Sequence, residues 1–392
     1  MSATASPRAT ASPRATVPRA VRHGRPRLYT SYASDQAIWN TPAKLWWTLG
    51  LIGLAAVAPF LLTTDLIVLL SLACAYAIGG IGLNLLTGYA GQISLGHAFF
   101  VGTGAYTAAV LGGESTGRVW GLGLDMAIWL PMSAIVPATI GFLVAPMAAR
   151  VRGLYLATLT LALLMLGDHL FREWIAVTGG SGVGRAPASP VLLGIDLGAT
   201  YAIAGIIIPP QTTIYFLCLG LLIALAIAAR NMARSRVGRA FAAVRDRDIA
   251  AEVMGIPLQR TKTLAFVLSS AYAGICGALL ATIIGRISAD RWNLFLSIDF
   301  LAIVIIGGAA TISGSIIGAC FIVLLPRVID EFSHLIPFLT QSGVSSSGIT
   351  VDEFKAILFG LLIVFFIIVE PRGLFGLWMR IRLYFRTWPF SR

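Results

Sequence analysis

Residues 79–111, GGIGLNLLTGYAGQISLGHAFFVGTGAYTAAVL, are apolar overall and yet contain eight glycines between Gly79 and Gly104. The same run carries four strongly polar side chains, those of Asn84, Gln92, Ser94 and His97. Glycine weakens a helix and frees its backbone, and a broken helix is tolerated at membrane depth where it lies inside protein or lines a cavity. Because glycines and polar side chains coincide here, we interpret the run as part of a pathway through a membrane. The alternative is that the glycines serve only close helix packing.

The whole chain has the composition of a membrane protein. Of its 392 residues, 57% are hydrophobic and only 12% are charged, whereas a soluble globular chain is about 25% charged. Roughly 20 apolar residues cross a bilayer as a helix, because the backbone must satisfy its own hydrogen bonds in lipid. The candidate spans are residues 45–62, 66–86, 96–111, 126–149, 153–173, 213–229, 263–285 and 354–370.

A second glycine-rich segment interrupts another apolar stretch. Residues 298–326 are too long for one upright helix, and the segment 307–318, GGAATISGSIIG, separates two apolar halves. We expect two short crossings or a re-entrant hairpin, with Gly307 and Gly308 at the break and Gly314 and Gly318 in the spacing of close helix contacts. The predicted fold is all-α: a polytopic membrane protein with about ten transmembrane crossings, including glycine-broken helices.

The distribution of charge predicts the orientation of the chain. With the N-terminus inside, the inside segments hold 22 of the 29 lysines and arginines, as the positive-inside rule requires; these segments are residues 1–44, 150–152, 230–262 and 371–392. This clustering, rather than nucleic-acid binding, accounts for the net charge of +12. Both termini are therefore predicted to be cytoplasmic.

The same charge pattern separates two tails from a central domain. Residues 1–40 contain no acidic residue before Asp35 and are rich in proline and arginine, so we expect a disordered basic cytoplasmic tail. Residues 41–378 are predicted to form the transmembrane domain, and residues 379–392 a basic cytoplasmic C-terminal tail.

The inside segment 230–262 has the pattern of one or two short amphipathic helices. Asp246 or Asp248 is expected to cap the second helix, and the sequence from Gly255 to Pro257 to end it. Such a segment between two spans suits docking onto a partner protein. The alternative is a helix that lies on the anionic membrane lipid, which basic amphipathic segments also do.

Motifs for catalysis are absent from the sequence. There is no phosphate-binding G-x-x-x-x-G-K-[ST] loop, no H-E-x-x-H and no G-x-S-x-G. We therefore expect no enzyme activity, no catalytic residue, no metal site and no cofactor. Asp299 and the other acids of the apolar runs are expected near span ends, which argues against a self-powered carrier, since such carriers use carboxylates within the membrane.

Five motifs in a fixed order resemble those of permeases of branched-chain amino-acid ABC transporters, of the LivH/LivM type and closest to the LivM branch. They are GLNLLTGYAGQISLGHAFFVGTGAYTAA (82–109), TGGSGVG (178–184), SRVGRAFAAVRDRDIAAEVMGI (235–256), IVIIGGAATISGSIIGA (303–319) and EPRGLFGLW (370–378). The resemblance implies a permease subunit in the bacterial inner membrane, which imports branched-chain or related amino acids. Its implied partners are ABC ATPase subunits, a second permease subunit and a periplasmic substrate-binding protein.

The resemblance also implies roles for individual residues. It places Arg239, Arg245, Asp246, Glu252 and Gly255 in the loop that meets the ATPase. It places Asn84, Gln92, Ser94 and His97 near the translocation path, together with Gly307 and Gly308 of the second glycine-rich segment. The alternatives that stay open are an ABC permease for urea or short amides and a self-contained channel or secondary carrier.

Overall fold

The structure, a computed structural model, describes residues 42–151, 153–180, 182, 184–203, 206–332, 339–340, 349–370 and 372–387. Its contacts divide the chain into two units, residues 1–52 and 53–392, and the first helix begins in the first unit and ends in the second. The tail predicted for residues 1–40 and the last five residues of the tail 379–392 lie outside the described residues.

Nearly all regular structure is helical, as the sequence predicts. The helices are α1 (Pro42–Leu61), α2 (Thr64–Asn84), α3 (His97–Gly112), α4 (Met126–Arg150), α5 (Leu154–Glu173), α6 (Ile175–Thr178), α7 (Pro210–Arg234), α8 (Arg236–Asp246), α9 (Asp248–Val253), α10 (Leu258–Ile284), α11 (Leu294–Gly307), α12 (Ile312–Phe332), α13 (Val351–Val369) and α14 (Gly373–Thr387). A π-helical turn, Leu85–Tyr89, extends α2, and a 3₁₀ turn, Ala289–Arg291, precedes α11.

The all-α prediction did not include strands, and the described chain has short ones in its connecting segments only. They are β1 (Val191–Leu192), β2 (Ile195–Asp196), β3 (Tyr201–Ile203), β4 (Ile206–Ile208), β5 (Leu339–Thr340) and β6 (Ile349–Thr350). The first two pairs are antiparallel and the third is parallel. Residues 201–203 and 206–208 thus pair as strands, since their β-branched isoleucines suit a strand and the segment is too short for a span.

Two helices form the centre of the bundle. In their most apolar windows α10 is 72% buried and α2 is 67% buried, whereas the other four candidate spans are 22% to 39% buried. Helix α10 packs against α2, α3 and α4. Glycine permits this approach: a Cβ added at Gly277 would overlap the Val101 carbonyl of α3, and one added at Gly274 would overlap the Ser133 carbonyl of α4.

Six helices of the described residues are long and apolar enough to cross a membrane. They are Thr64–Tyr89 (α2 with its π turn), Met126–Arg150, Leu154–Glu173, Pro210–Arg234, Leu258–Ile284 and Ile312–Ile329. Large apolar side chains lie exposed along the outer helices, for example Ile135, Phe142, Leu143 and Met147 of α4. Such a surface matches a lipid environment. The count of about ten crossings stays a prediction.

Both predicted breaks occur, with shifted positions. Gly79, Gly80 and Gly82 lie inside α2, so the first break comprises the π turn and the non-helical residues 90–96. The second break is confined to residues 308–311, because Gly314 and Gly318 lie within α12. A Cβ on Gly318 would overlap the Ile303 carbonyl, so these two glycines allow α11 and α12 to pack closely.

Candidate translocation and coupling site

Asn84 joins the two glycine-rich breaks. It is the last residue of α2 and only 1% exposed. Its Nδ2 donates to the Thr311 carbonyl at 2.9 Å and to Ser315 Oγ at 2.7 Å, while its Oδ1 accepts from the Ala310 amide at 2.8 Å. All three groups belong to the second break or to the first turn of α12, more than 220 residues away in sequence.

The bonds of Asn84 hold a strained turn. Ala310 has a φ of 58°, a left-handed conformation that is uncommon for a residue with a Cβ. A single amide whose acceptor and both donors are used can fix such a turn at low cost, because no buried polar group is left unpaired. Gly88 packs against this contact, and the three residues Asn84, Gly88 and Ala310 are called the joint between the two breaks. A Cβ on Gly88 would overlap Asn84 Oδ1 and lie 2.5 Å from the Ala310 amide nitrogen.

The other predicted pathway residues lie buried around the first break. His97, at the start of α3, has its Nε2 3.0 Å from the Gly79 carbonyl oxygen, and its ring packs edge-on against Phe300. Ser94 Oγ accepts from the Gly96 amide at 3.3 Å. Gln92 is 5% exposed, and its Nε2 has no hydrogen-bond partner among the described residues. Sequence reasoning placed these residues together but did not show that Asn84 and His97 are already bonded within the chain.

Gly307 and Gly308 shape the second break. Gly308 has a φ of 122°, which a residue with a Cβ rarely adopts, and a Cβ there would lie 2.6 Å from the Arg372 carbonyl. A Cβ on Gly307 would overlap the Gly314 carbonyl. Both positions therefore require glycine for backbone packing.

Between the end of α7 and the start of α10, the predicted coupling segment 230–262 forms α8 and α9, within the expectation of one or two short helices. Ser235 caps α8 by accepting from the Val237 amide at 3.1 Å. The cap expected for α9 is wrong: the N-cap position is Arg247, which makes no side-chain cap bond. Asp246 instead pairs with Arg245, because the two side chains meet at the end of α8. Gly255, with a φ of 83°, follows α9 as predicted.

The apolar side of α8 packs into the protein. Phe241 is 1% exposed and Val244 is 5% exposed, so neither is available to a lipid surface. On the side away from the bundle, α9 and the residue after it expose an apolar tip formed by Ile249, Val253 and Met254, which are between 64% and 83% exposed. Arg239 and Glu252 also lie at exposed positions. The segment therefore has one face bound to the bundle and one face open.

Arg245 connects this segment to the first break. Its Nη1 donates to the Gly88 carbonyl at 3.1 Å, and its Nη2 lies 3.0 Å from Asp246 Oδ1. Gly91, with a φ of 71°, packs against the same side chain, where a Cβ would lie 2.8 Å from Arg245 Cγ. A cavity of about 220 Å³ borders this contact, and Gln92, Asp248 and Lys262 help to line it.

A buried arginine that the sequence did not single out, Arg185, bonds three backbone carbonyls at the end of the bundle opposite to Arg245. Arg185 is 5% exposed and donates to the carbonyls of Ala109, Val177 and Trp120, at 2.6, 2.5 and 2.9 Å. Burial lowers the pKa of its guanidinium from the ordinary value. The carbonyls at the ends of α3 and α6 compensate, since helix C-termini favour cations. The signal was the adjacent TGGSGVG motif, which positions Arg185.

No three His, Cys, Asp or Glu side chains of the described ranges are arranged to hold a metal ion. The arrangement instead offers a mechanical connection. Arg245 of α8 contacts Gly88, Gly88 packs on Asn84, and Asn84 bonds to the second break. A displacement of α8 can therefore reach both breaks through direct contacts.

The comparisons with known proteins agree with this architecture. The family model described as "Branched-chain amino acid transport system / permease component" matches residues 66–367. The high-affinity branched-chain amino acid transport system permease protein LivM of Escherichia coli K12 is 30% identical over 337 residues, 83% of this chain and 73% of that protein. The corresponding LivH protein of Salmonella typhimurium is 24% identical over 317 residues, 78% and 92% of the two chains.

A third relative is named for a different solute. The autoinducer 2 import system permease protein LsrC of Enterobacter sp. strain 638 is 28% identical over 225 residues, 54% of this chain and 60% of that protein. No solved structure matches the chain. These relatives support the role of an ABC permease, a multi-pass membrane subunit that is not itself an enzyme. The chain belongs to the family of permease components of branched-chain amino acid transport systems.

Proposed function

We propose that this chain imports branched-chain or related amino acids across the bacterial inner membrane, driven by separate ABC ATPase subunits. The observation that carries the proposal is the bond from Arg245 to Gly88, which connects an exposed cytoplasmic segment to the glycine-rich breaks. A permease without its own phosphate-binding loop needs such a connection, because the work of ATP hydrolysis must reach the membrane helices from a partner.

The orientation of the chain in the membrane follows from the distribution of its lysines and arginines. The N- and C-termini and the segment 230–262 are cytoplasmic in this proposal, which puts α8 and α9 where an ATPase can bind. Residues 41–378 form the permease domain. The open apolar tip of α9, the polar residues Arg239, Arg245, Asp246 and Glu252, and Gly255 form the ATPase-facing surface.

The pathway is framed by the two breaks. Asn84, Gln92, Ser94 and His97 surround the first break, and Gly307 and Gly308 lie at the start of the second. Since Asn84 and His97 are bonded inside the chain, their proposed role is to hold the walls of the path rather than to contact the solute directly. A second permease subunit completes the path, and a periplasmic binding protein delivers the solute.

Purification of the chain from native membranes in mild detergent tests this function. We expect a Walker-type ATPase and a second permease to co-purify, and the associated binding protein to bind leucine when titrated. A binding protein that takes urea, or another solute such as the one named for LsrC, in place of leucine would assign the same role with a different substrate. A chain that purifies alone and conducts solute in liposomes would refute the proposal and identify a channel or carrier.

A further inference from the structure

Asp299 lies beside the middle of the candidate span Thr64–Tyr89. It is the sixth of fourteen residues in α11, a helix whose only other polar side chain is Ser297. The ring of the next residue, Phe300, stacks on Tyr76 with centroids 5.2 Å apart. Tyr76 is the thirteenth residue of the 26-residue candidate span Thr64–Tyr89. Asp299 thus lies near the start of α11, as expected, and beside the middle of α2.

Several acids of the described residues pair with a cation, whereas Asp299 does not. Asp168 and Asp290 pair with Arg172, Asp248 with Lys262, and Glu370 with Arg380. Asp299 is partly buried, and within the described ranges it makes no hydrogen bond or ion pair. A carboxylate withdrawn from water without a partner is costly. An ionisable residue at membrane depth therefore indicates function.

A cavity opens near the start of α2, two helical turns from Tyr76. This cavity of about 370 Å³ lies between α2 and α12, lined by Asp65, Val68 and Leu69 on one side and by Val323, Pro326 and Arg327 on the other. Leu69 and Tyr76 are two helical turns apart and lie on the same face of α2. The same face of α2 thus runs from the cavity to Tyr76, whose ring stacks on Phe300 next to Asp299.

We propose that Asp299, supported by Tyr76, binds the ammonium group of the transported amino acid midway across the membrane. A carboxylate accepts hydrogen bonds from an ammonium group, and such charge-assisted bonds are the strong ones. The aromatic rings of Tyr76 and Phe300 provide a low-dielectric wall that strengthens this attraction. This inference rests on the proposed function, since it takes an amino acid as the solute. A basic side chain of the second permease is the competing partner for the carboxylate.

The test uses the complete transporter, reconstituted in proteoliposomes with its binding protein, and the variant Asp299→Asn. Leucine uptake should fall about tenfold, the effect of losing one hydrogen bond to a charged group. Subunit composition should stay unchanged, and the melting temperature should stay equal or rise, because the variant removes an unpaired charge. Asp290→Asn is the matched control: Asp290 is an exposed carboxylate in an ion pair with Arg172, and uptake should stay normal.

Three results would overturn the inference. Normal uptake by Asp299→Asn would show that the carboxylate does not contact the solute. Loss of the second permease from the purified complex would show that Asp299 pairs with that subunit. A lowered melting temperature would show that it stabilises the fold. A wild-type complex that moves no amino acid would instead refute the proposed function.

Discussion

The regions around Asn84 and Asp299 both place a strongly polar side chain among apolar helices, and they differ in how that side chain is bonded. Asn84 makes three hydrogen bonds and is 1% exposed. Asp299 is partly buried and has no partner in the described part of the chain. A buried polar group with all its bonds made contributes to the fold, whereas one without bonds costs stability. The difference separates residues that hold the pathway from residues that are free to bind within it.

The largest expected effect is that of Asn84→Asp. The change keeps the shape of the side chain but removes both donors and sets a carboxylate oxygen against the Thr311 carbonyl. We expect a loss of about 3 kcal/mol in the free energy of unfolding, near the upper cost of leaving a buried group unsatisfied. Thermal melting of the purified complex, together with leucine uptake, measures it, and both should fall.

Asn293→Asp is the matched control for this prediction. Asn293 is the N-cap of α11, where its Oδ1 accepts from the Leu296 amide at 3.2 Å. The variant also loses the bond from Asn293 Nδ2 to the Asp290 carbonyl, 3.0 Å, which is exposed, so water can replace it. Asparagine and aspartate are equally good N-caps, so this variant should melt at nearly the wild-type temperature. Equal melting of the two variants would mean that the bonds of Asn84 do not hold the two breaks together.

The next effect is that of Gly88→Ala, which tests the same joint by volume. A methyl group at this position would overlap Asn84 Oδ1, so the turn must shift. Overpacking typically costs roughly 1–3 kcal/mol, so we expect the free energy of unfolding to fall by about 2 kcal/mol. Gly220→Ala in α7 is the control, because a Cβ there meets nothing within 4 Å. Uptake should drop in the first variant and persist in the second. Full uptake by Gly88→Ala would show that the joint is not tightly packed.

The sequence alone predicts the helices well and the contacts of their polar residues poorly. Apolar runs mark the spans because lipid and packing both require apolar side chains, and the predicted runs 126–149 and 153–173 match α4 and α5 within a residue or two. The partners of Asn84 lie more than 220 residues away, so no local pattern reveals them. The position of Asp299 beside the middle of α2 could not be predicted for a similar reason, since it depends on which residue of α2 stacks against Phe300.

The third effect concerns transmission rather than stability. Arg245→Ala removes the bond to Gly88 while leaving Asn84 and its partners in place. We expect leucine uptake to fall about tenfold, as for one lost hydrogen bond to a charged group, while ATP hydrolysis by the complex continues. Arg260→Ala, an exposed arginine at the start of α10, should leave the two activities coupled. Parallel loss of uptake and ATP hydrolysis would indicate that Arg245 is needed for assembly instead.

The smallest expected effect tests the region around Asp299. Tyr76→Phe keeps the ring that stacks on Phe300 and removes only the hydroxyl. If the carboxylate of Asp299 supplies most of the attraction for an ammonium group, the hydroxyl adds one weak neutral contact, and uptake should fall only about threefold. The melting temperature should not change, because the Tyr76 hydroxyl makes no hydrogen bond within the described residues. A drop as large as that of Asp299→Asn would mean that the hydroxyl, and not the carboxylate alone, orients the solute. The ranking of these two variants by leucine uptake in proteoliposomes therefore distinguishes a charge-based contact from one that depends on a shared hydrogen-bond network.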